Sequence, residues 1–302
     1  MKKNSIFIFL VLLYVIYEAP FLRAAVGADG DPNHSDSNVS YLGPEGTYTQ
    51  EACLTFFIDQ GECSPYSTVK DAVEALLRND VDFAVIPQEN TIGGAVIDYI
   101  DILIAQTGLY VMGEVELPIT QNLLVRPGTT LQNIKTVYSH KQGIAQGKEW
   151  LNANLPEAEV IEVASTAQGA RLVSESSDLT SAAIASASSA EVYGLKILAA
   201  GIQNNDDNKT RFYILSTEEM DDRSPDRIAF IAMGAAEYLP LLMEQISKNG
   251  MKLIAIHDRP LKTRLGEYYY LIECAGGDHE SYLVLADESP FKFRYLGSYD
   301  VY

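Results

Sequence analysis

Residues able to do chemistry gather in five short clusters along the 302-residue chain. They are Gly43-Pro44-Glu45-Gly46-Thr47, Glu89-Asn90-Thr91, Ser139-His140-Lys141-Gln142, Ser165-Thr166 and Asn208-Lys209-Thr210-Arg211-Phe212. Hydroxyls and amides dominate these clusters, and such groups orient a polar ligand by hydrogen bonding. The Arg211 guanidinium suits bidentate pairing with a carboxylate. His140 is the candidate general acid, because only histidine ordinarily titrates near neutrality. Each residue also has a plainer role. Ser and Thr are preferred helix N-caps, a strand arginine serves structural ion pairs, Phe212 suits a core, and His140 can simply orient its loop. Three cysteines (Cys53, Cys63, Cys274) and four scattered histidines match no metal-site spacing. There is no P-loop and no G-x-G-x-x-G, so neither metal nor cofactor is expected. A Cys53–Cys63 bridge and a plain core Cys53 both remain open.

A repeated unit must position these clusters. Apolar runs at 39–42, 81–86, 136–138, 160–164 and 182–185 each lead through a polar loop into an amphipathic stretch, at 48–57, 95–106, 142–151, 167–175 and 188–193. Strands alternating with helices predict an α/β fold with mostly parallel sheets. Ligands of such folds sit at the carboxyl ends of the strands. Those ends are the polar loops, and each loop opens a helix whose unpaired N–H groups favour carboxylates. One loop alone is explained by capping; four that converge imply an anion-binding cleft.

Beyond a charged, Pro-containing linker at 218–226 the pattern changes. Strands at 227–233, 252–256, 268–274 and 291–299 and helices at 238–249 and 278–287 make βαββαβ, a ferredoxin-like module. The formal charge of −19 and pI near 4.5 exclude nucleic acid or an anionic membrane as the main partner. An anionic substrate must therefore be held by local dipoles and a few placed cations. At the start of the chain, Lys2 and Lys3 precede an apolar run over 6–17, too short for the roughly 20 residues of a spanning helix. Val26-Gly27-Ala28 offers a cleavage site. Residues 1–28 are expected to be a signal peptide and 29–38 a flexible lead-in. The protein is then exported, periplasmic or secreted, with no stable membrane insertion after cleavage.

The clusters, in this order, resemble the signatures of prephenate dehydratases. Tyr41 to Thr47 looks like the opening motif, and Glu89-Asn90-Thr91 with Gly94 like the second. Ser139-His140-Lys141-Gln142 and Ser165-Thr166-Ala167 follow, and Thr210-Arg211-Phe212 resembles the triplet associated with catalysis. The C-terminal module resembles an ACT domain. The resemblance implies a bilobed catalytic region over 39–217, like a type-2 periplasmic binding protein. Lobe 1 would span about 39–118 and 200–217, lobe 2 about 119–199, and the ACT-like domain 227–302. It implies conversion of prephenate to phenylpyruvate, without cofactor, in phenylalanine biosynthesis. Thr210 would assist the departing hydroxyl, Arg211 would hold a carboxylate, and Phe212 would wall the site. Gly46, Thr47, Glu89, Asn90, Thr91, Gln121, Ser139, His140, Gln142, Ser165 and Thr166 would bind substrate. Pairing of the C-terminal modules through a sheet edge would make a homo-oligomer, a dimer or tetramer.

Three positions depart from that pattern. Gln121 stands where the family usually has histidine, and it can donate a hydrogen bond but cannot titrate. In the C-terminal module, Ala236-Glu237-Tyr238-Leu239-Pro240 replaces the family's Gly-Ala-Leu segment. His257 with the effector-binding candidates Asp258, Arg259 and Pro260 replaces Glu-Ser-Arg-Pro. Bulkier side chains there imply a lost or altered phenylalanine site. An arogenate dehydratase and an exported aromatic-acid binding protein are the alternative readings.

Overall fold

The computed structural model describes residues 37–57, 61–219 and 225–302. The expected signal peptide lies outside the described residues, as do most of the lead-in and the middle of the linker. The first lobe opens with β1 (Ser37–Leu42), α1 (Tyr48–Phe56), β2 (Gly61–Tyr66), α2 (Val69–Leu77), β3 (Phe83–Asn90), β4 (Gly94–Ala95), α3 (Ile97–Ala105) and β5 (Tyr110–Pro118). The second lobe holds β6 (Asn122–Val125), β7 (Thr136–Ser139), α4 (Lys141–Gln146), α5 (Lys148–Asn154) and β8 (Glu159–Glu162). It continues with α6 (Thr166–Glu175), β9 (Ser181–Ala185), α7 (Ala187–Val192) and β10 (Lys196–Ala199). The chain then returns to the first sheet as β11 (Lys209–Ser216). The C-terminal module is β12 (Arg227–Ala235), α8 (Leu239–Lys248), β13 (Lys252–Pro260), β14 (Glu267–Ala275), α9 (His279–Glu288) and β15 (Lys292–Val301).

The α/β, two-lobed architecture and the βαββαβ module are as expected. The sheets, however, are mixed rather than mostly parallel. The second sheet runs β10-β6-β9-β7-β8, with β7 parallel to β8 and β9 but β6 antiparallel to β9 and β10. In the first lobe β1 pairs parallel with β2 and β3, whereas β11 pairs antiparallel with β3 and β5. Apart from the short β4 beside β3, antiparallel pairing in the two lobes involves the strands on which the chain crosses between lobes or returns. A returning strand needs no helical crossover, so the strand–helix rhythm that predicts parallel pairing is missing there.

The C-terminal sheet, in order β13-β14-β12-β15, joins the first through two parallel β15–β5 pairs, Asp300 with Gly113 and Val301 with Glu114. Strand β12 is apolar on both faces. Ile228, Phe230 and Ala232 of β12 meet Leu242 and Ile246 of α8 and Leu285 of α9. Ala229 and Ile231 join Tyr99, Ile100 and Leu103 of α3 and Tyr213 and Leu215 of β11. Period-two alternation thus carries one strand into two cores. At α1, Cys53 is bridged to Cys63 of β2, which resolves the cysteine question in favour of a disulfide. Cys274 is free and buried.

Candidate active site

The polar loops meet where the two lobes touch. Thr47 caps α1, accepting from Gln50 N and donating to the Pro44 carbonyl at 2.9 Å. Gly46, at φ +79°, turns its carbonyl toward α7 and accepts from Ser186 Oγ at 3.0 Å and Ser189 Oγ at 2.6 Å. A Cβ on Gly46 would meet Ser189 at about 3 Å, so glycine suits both the backbone angle and the close approach. Ser188 Oγ donates to Glu51 at 2.8 Å, and Tyr193 Oη to the Glu45 carbonyl at 2.8 Å. Burial raises the Glu51 pKa above the ordinary carboxylate value, the Ser188 bond partly offsets this, and Glu191 adds to the rise.

Asn90, at the end of β3, is the hub of the second contact. Its Oδ1 accepts from Gly93 N at 2.8 Å, Ile92 N at 3.1 Å and Gln142 Nε2 of the second lobe at 2.8 Å. Backbone N–H groups only donate, so the atom facing them must be the oxygen. That fixes the amide orientation. Nδ2 then donates to Thr210 Oγ1 and Asn208 Oδ1, both at 2.9 Å. The Thr210 hydroxyl accepts this bond, and its own proton is left for another acceptor. Thr91 Oγ1 and the Lys209 backbone lie 3.1 Å apart and complete the seam.

A cavity of about 710 Å³ lies between the loop that opens α1 and the start of α6, and Asn90, Gln142 and Thr210 are not among its lining residues. Its wall includes Thr47 and Ser165, the N-caps of α1 and α6, with Ser67, Tyr66, Gln168 and Tyr193. Glu45 and Arg171 are its charged lining residues. Two helix N-termini and a guanidinium can together hold a carboxylate.

Arg211 does not face this cavity's lining. Its Nε and Nη2 pair with Glu114 of β5 at 2.6 and 3.0 Å, and Nη1 with Glu89 at 3.1 Å. Nη2 also reaches Glu273 of β14. The side chain is 13% exposed, and Glu114 and Glu273 are fully buried. Burial alone would lower the Arg211 pKa, but the Glu114 bond and the Glu273 and Glu114 charges raise it. Three carboxylates engage all three of its nitrogens, so in this structure Arg211, expected to hold a substrate carboxylate, sits in an ion cluster. Phe212 is likewise 1% exposed, packed with Val115, Val85 and Ile214 in the core behind the strand. The expected wall of the site is core.

A protein-family model described as prephenate dehydratase matches residues 39–220. The chain belongs to the prephenate dehydratase family. It is 35% identical to the bifunctional chorismate mutase/prephenate dehydratase of Neisseria gonorrhoeae, over 83% of this chain and 69% of that protein. Against the prephenate dehydratase of Lactococcus lactis subsp. cremoris it is 32% identical, over 87% of this chain and 98% of that one. Among solved structures, the prephenate dehydratase of Arthrobacter aurescens in complex with L-Phe superposes with a TM-score of 0.79 at 29% identity. That match covers 87% of this chain and 89% of the other.

Within this family fold the remaining motif residues do different things. Ser139 is buried and donates to the Ile184 carbonyl at 2.7 Å, so it secures β7 against β9. His140 caps α4, its Nδ1 accepting from Gln142 N at 3.3 Å; that contact is the loop-orienting role. Ser165 caps α6 through Gln168 N at 3.0 Å, and Thr166 begins the helix. Gln121 is buried and donates to Gln146 Oε1 at 2.9 Å, while its own Oε1 has no partner. Of the expected effector residues, Asp258 lines a 280 Å³ cavity with Ala236, Leu239, Ile256, Tyr268 and Tyr270. Arg259 instead forms a bidentate pair with Asp101 of α3, at 2.6 and 2.9 Å. Pro260, exposed, ends β13. Gln146, Gln88, Glu114 and Glu273 escaped the sequence reading. Among the described residues no three His, Cys, Asp or Glu side chains are grouped to hold a metal.

Proposed function

We propose that the chain converts prephenate to phenylpyruvate between its lobes, with the Asn90, Gln142 and Thr210 seam serving the leaving hydroxyl and the 710 Å³ cavity supplying carboxylate-binding groups. The observation that carries this reading is the hydrogen-bond polarity at Thr210, whose proton remains available because Asn90 donates to its oxygen. In the reaction the bond from the ring to its carboxylate carbon breaks and CO2 departs. That electron pair completes the aromatic ring as the C4–O bond breaks, and the departing hydroxide takes a proton to become water. Aromatisation supplies the driving force, so orientation and help for the leaving hydroxide are what the protein must add. Thr210 hydrogen-bonds that hydroxyl. The N-termini of α1 and α6 and the Arg171 guanidinium hold the carboxylates.

The same reading divides the chain into a catalytic region over 39–217 and an ACT-like domain over 227–302, paired with a second copy through its sheet edge. Export is supported by the basic, apolar start of the chain and by the Cys53–Cys63 bridge, since disulfides persist in oxidising compartments.

The test is protein beginning at Asp29, incubated with prephenate and separately with arogenate, following phenylpyruvate and phenylalanine. Phenylpyruvate formation establishes the dehydratase. Preference for arogenate transfers the reading to the amine-bearing substrate, and binding without turnover overturns catalysis.

A further inference from the structure

The ladder between β3 and β11 slips by one residue at the seam. Arg211 pairs with Glu89, but Phe212 pairs with Pro87, so Gln88 is the extra residue of a β-bulge. Such bulges re-aim side chains next to active sites. Asn90 and Thr210 face each other just beyond this one. Pro87 has no N–H, and the ladder to β11 is interrupted there. On the other side the Gln88 carbonyl accepts from Val96 N at 2.8 Å, which leaves the Gln88 side chain to be fixed from elsewhere.

Glu273 fixes that side chain from a different part of the sequence. It belongs to β14, where Tyr270, Ile272 and Cys274 face α8 and α9. Alternation turns Leu271 and Glu273 toward β3 and β11. Glu273 Oε1 accepts from Gln88 Nε2 on the bulge, and Oε2 accepts from Arg211 Nη2 on the opposing strand. Tyr299 Oη approaches Oε2 at 3.4 Å. A fully buried carboxylate is costly unless paired, and here both oxygens are engaged. Glu89 and Glu114 would continue to pair Arg211 if Glu273 were lost, so charge balance alone does not explain this third carboxylate.

We propose that Glu273 is a positioning residue that clamps the bulge, holding Asn90 and Thr210 in register from the C-terminal module. It touches no substrate and acts through Gln88 and Arg211. The catalytic readout rests on the proposed dehydratase activity; the clamp itself does not.

The test compares Glu273→Met, Glu273→Gln and Gln88→Leu with Ile272→Val in the full chain. Ile272 lies on the opposite face of β14, and its truncation costs stability without touching the bulge. Glu273→Met is expected to lower kcat on the order of 10- to 100-fold with KM changed less than about two-fold. Glu273→Gln should recover part of the loss, because an amide oxygen can still accept from Arg211 once Gln88 turns over. Gln88→Leu, which keeps Glu273, should reproduce the kcat loss even if Glu273→Met fails to fold. Amide exchange at Thr91 and Lys209 should quicken in the clamp variants and not in Ile272→Val. Wild-type kcat in both Glu273→Met and Gln88→Leu overturns the proposal, and so does an equal loss in Ile272→Val. If the unaltered protein turns over no prephenate, the activity reading falls and amide exchange alone decides: faster exchange supports the clamp, unchanged exchange overturns it.

Discussion

Asn90 Nδ2 donates to Thr210 Oγ1 at 2.9 Å, while the Asn90 Oδ1 is held by Gly93, Ile92 and Gln142. The amide cannot reverse without placing donors against donors, so the Thr210 proton points away from Asn90. Thr210→Val, which keeps the shape and removes the hydroxyl, is expected to lower kcat on the order of 100- to 1000-fold, within the usual range for a positioned proton donor. Thr210→Ser should keep most of the activity. Equal kcat values for Val and Ser, measured by phenylpyruvate formation, would remove the hydroxyl from the mechanism.

Arg211 is expected to behave as a structural residue. Arg211→Ala would leave Glu273 buried without its charged partner, while Glu114 keeps Arg227, a loss of about 3–5 kcal/mol for a broken buried pair. Arg211→Lys keeps the charge but loses the planar fork that spans three carboxylates. It should therefore lower Tm and kcat together and leave KM nearly unchanged. A raised KM at unchanged Tm would return the guanidinium to the substrate.

The seam was legible in the sequence because its residues lie at the ends of elements, where Asn90, Thr91, Gln142 and Thr210 are polar groups flanking apolar runs. The N-caps were legible for the same local reason: Thr47, His140 and Ser165 each bond a backbone N–H two or three residues ahead. The ion cluster was not. Gln88 and Glu273 are 185 residues apart, and Arg211 and Glu114 are 97 apart. No spacing rule joins such positions. The available signal was a charge inside an apolar alternation, Glu273 after Tyr270-Leu271-Ile272 and Glu114 between Gly113 and Val115. Helix α2 was passed over although Val69, Ala72, Val73 and Leu76 form a helical stripe, buried in the structure. Export and the leader rest on residues outside the described structure.

The Glu51–Ser188 contact between the lobes is expected to respond to pH. Burial raises the folded pKa of Glu51 above the unfolded value of 4.5. For a raised carboxyl, the favourable contribution is complete below the unfolded pKa and is lost as pH rises through the folded one. Glu51→Gln has no proton to lose, and its amide oxygen can still accept from Ser188. Its Tm should exceed that of the unaltered protein at pH 7, and the gap should close at pH 4. Thermal unfolding across that range checks the sign, and a gap that widened toward pH 4 would reverse the assignment.

Gly297 marks how tightly the C-terminal strand lies on the first lobe. Its φ is +139°, and a Cβ there would fall 2.2 Å from the Val111 carbonyl oxygen of β5. Two costs follow for Gly297→Ala: an unfavourable backbone angle, and displacement of β15 from β5. Gly108 separates them, because it also has positive φ, +78°, but no atom lies within 4 Å of the point where a methyl would sit. Gly108→Ala should cost about 1 kcal/mol through the backbone alone. Gly297→Ala should cost about 3 kcal/mol, the excess being overpacking. It should also quicken amide exchange at Glu116 and Tyr302, which bond across this edge. Equal losses at the two glycines would mean that β15 moves aside freely, and that the edge does not hold the C-terminal module in place.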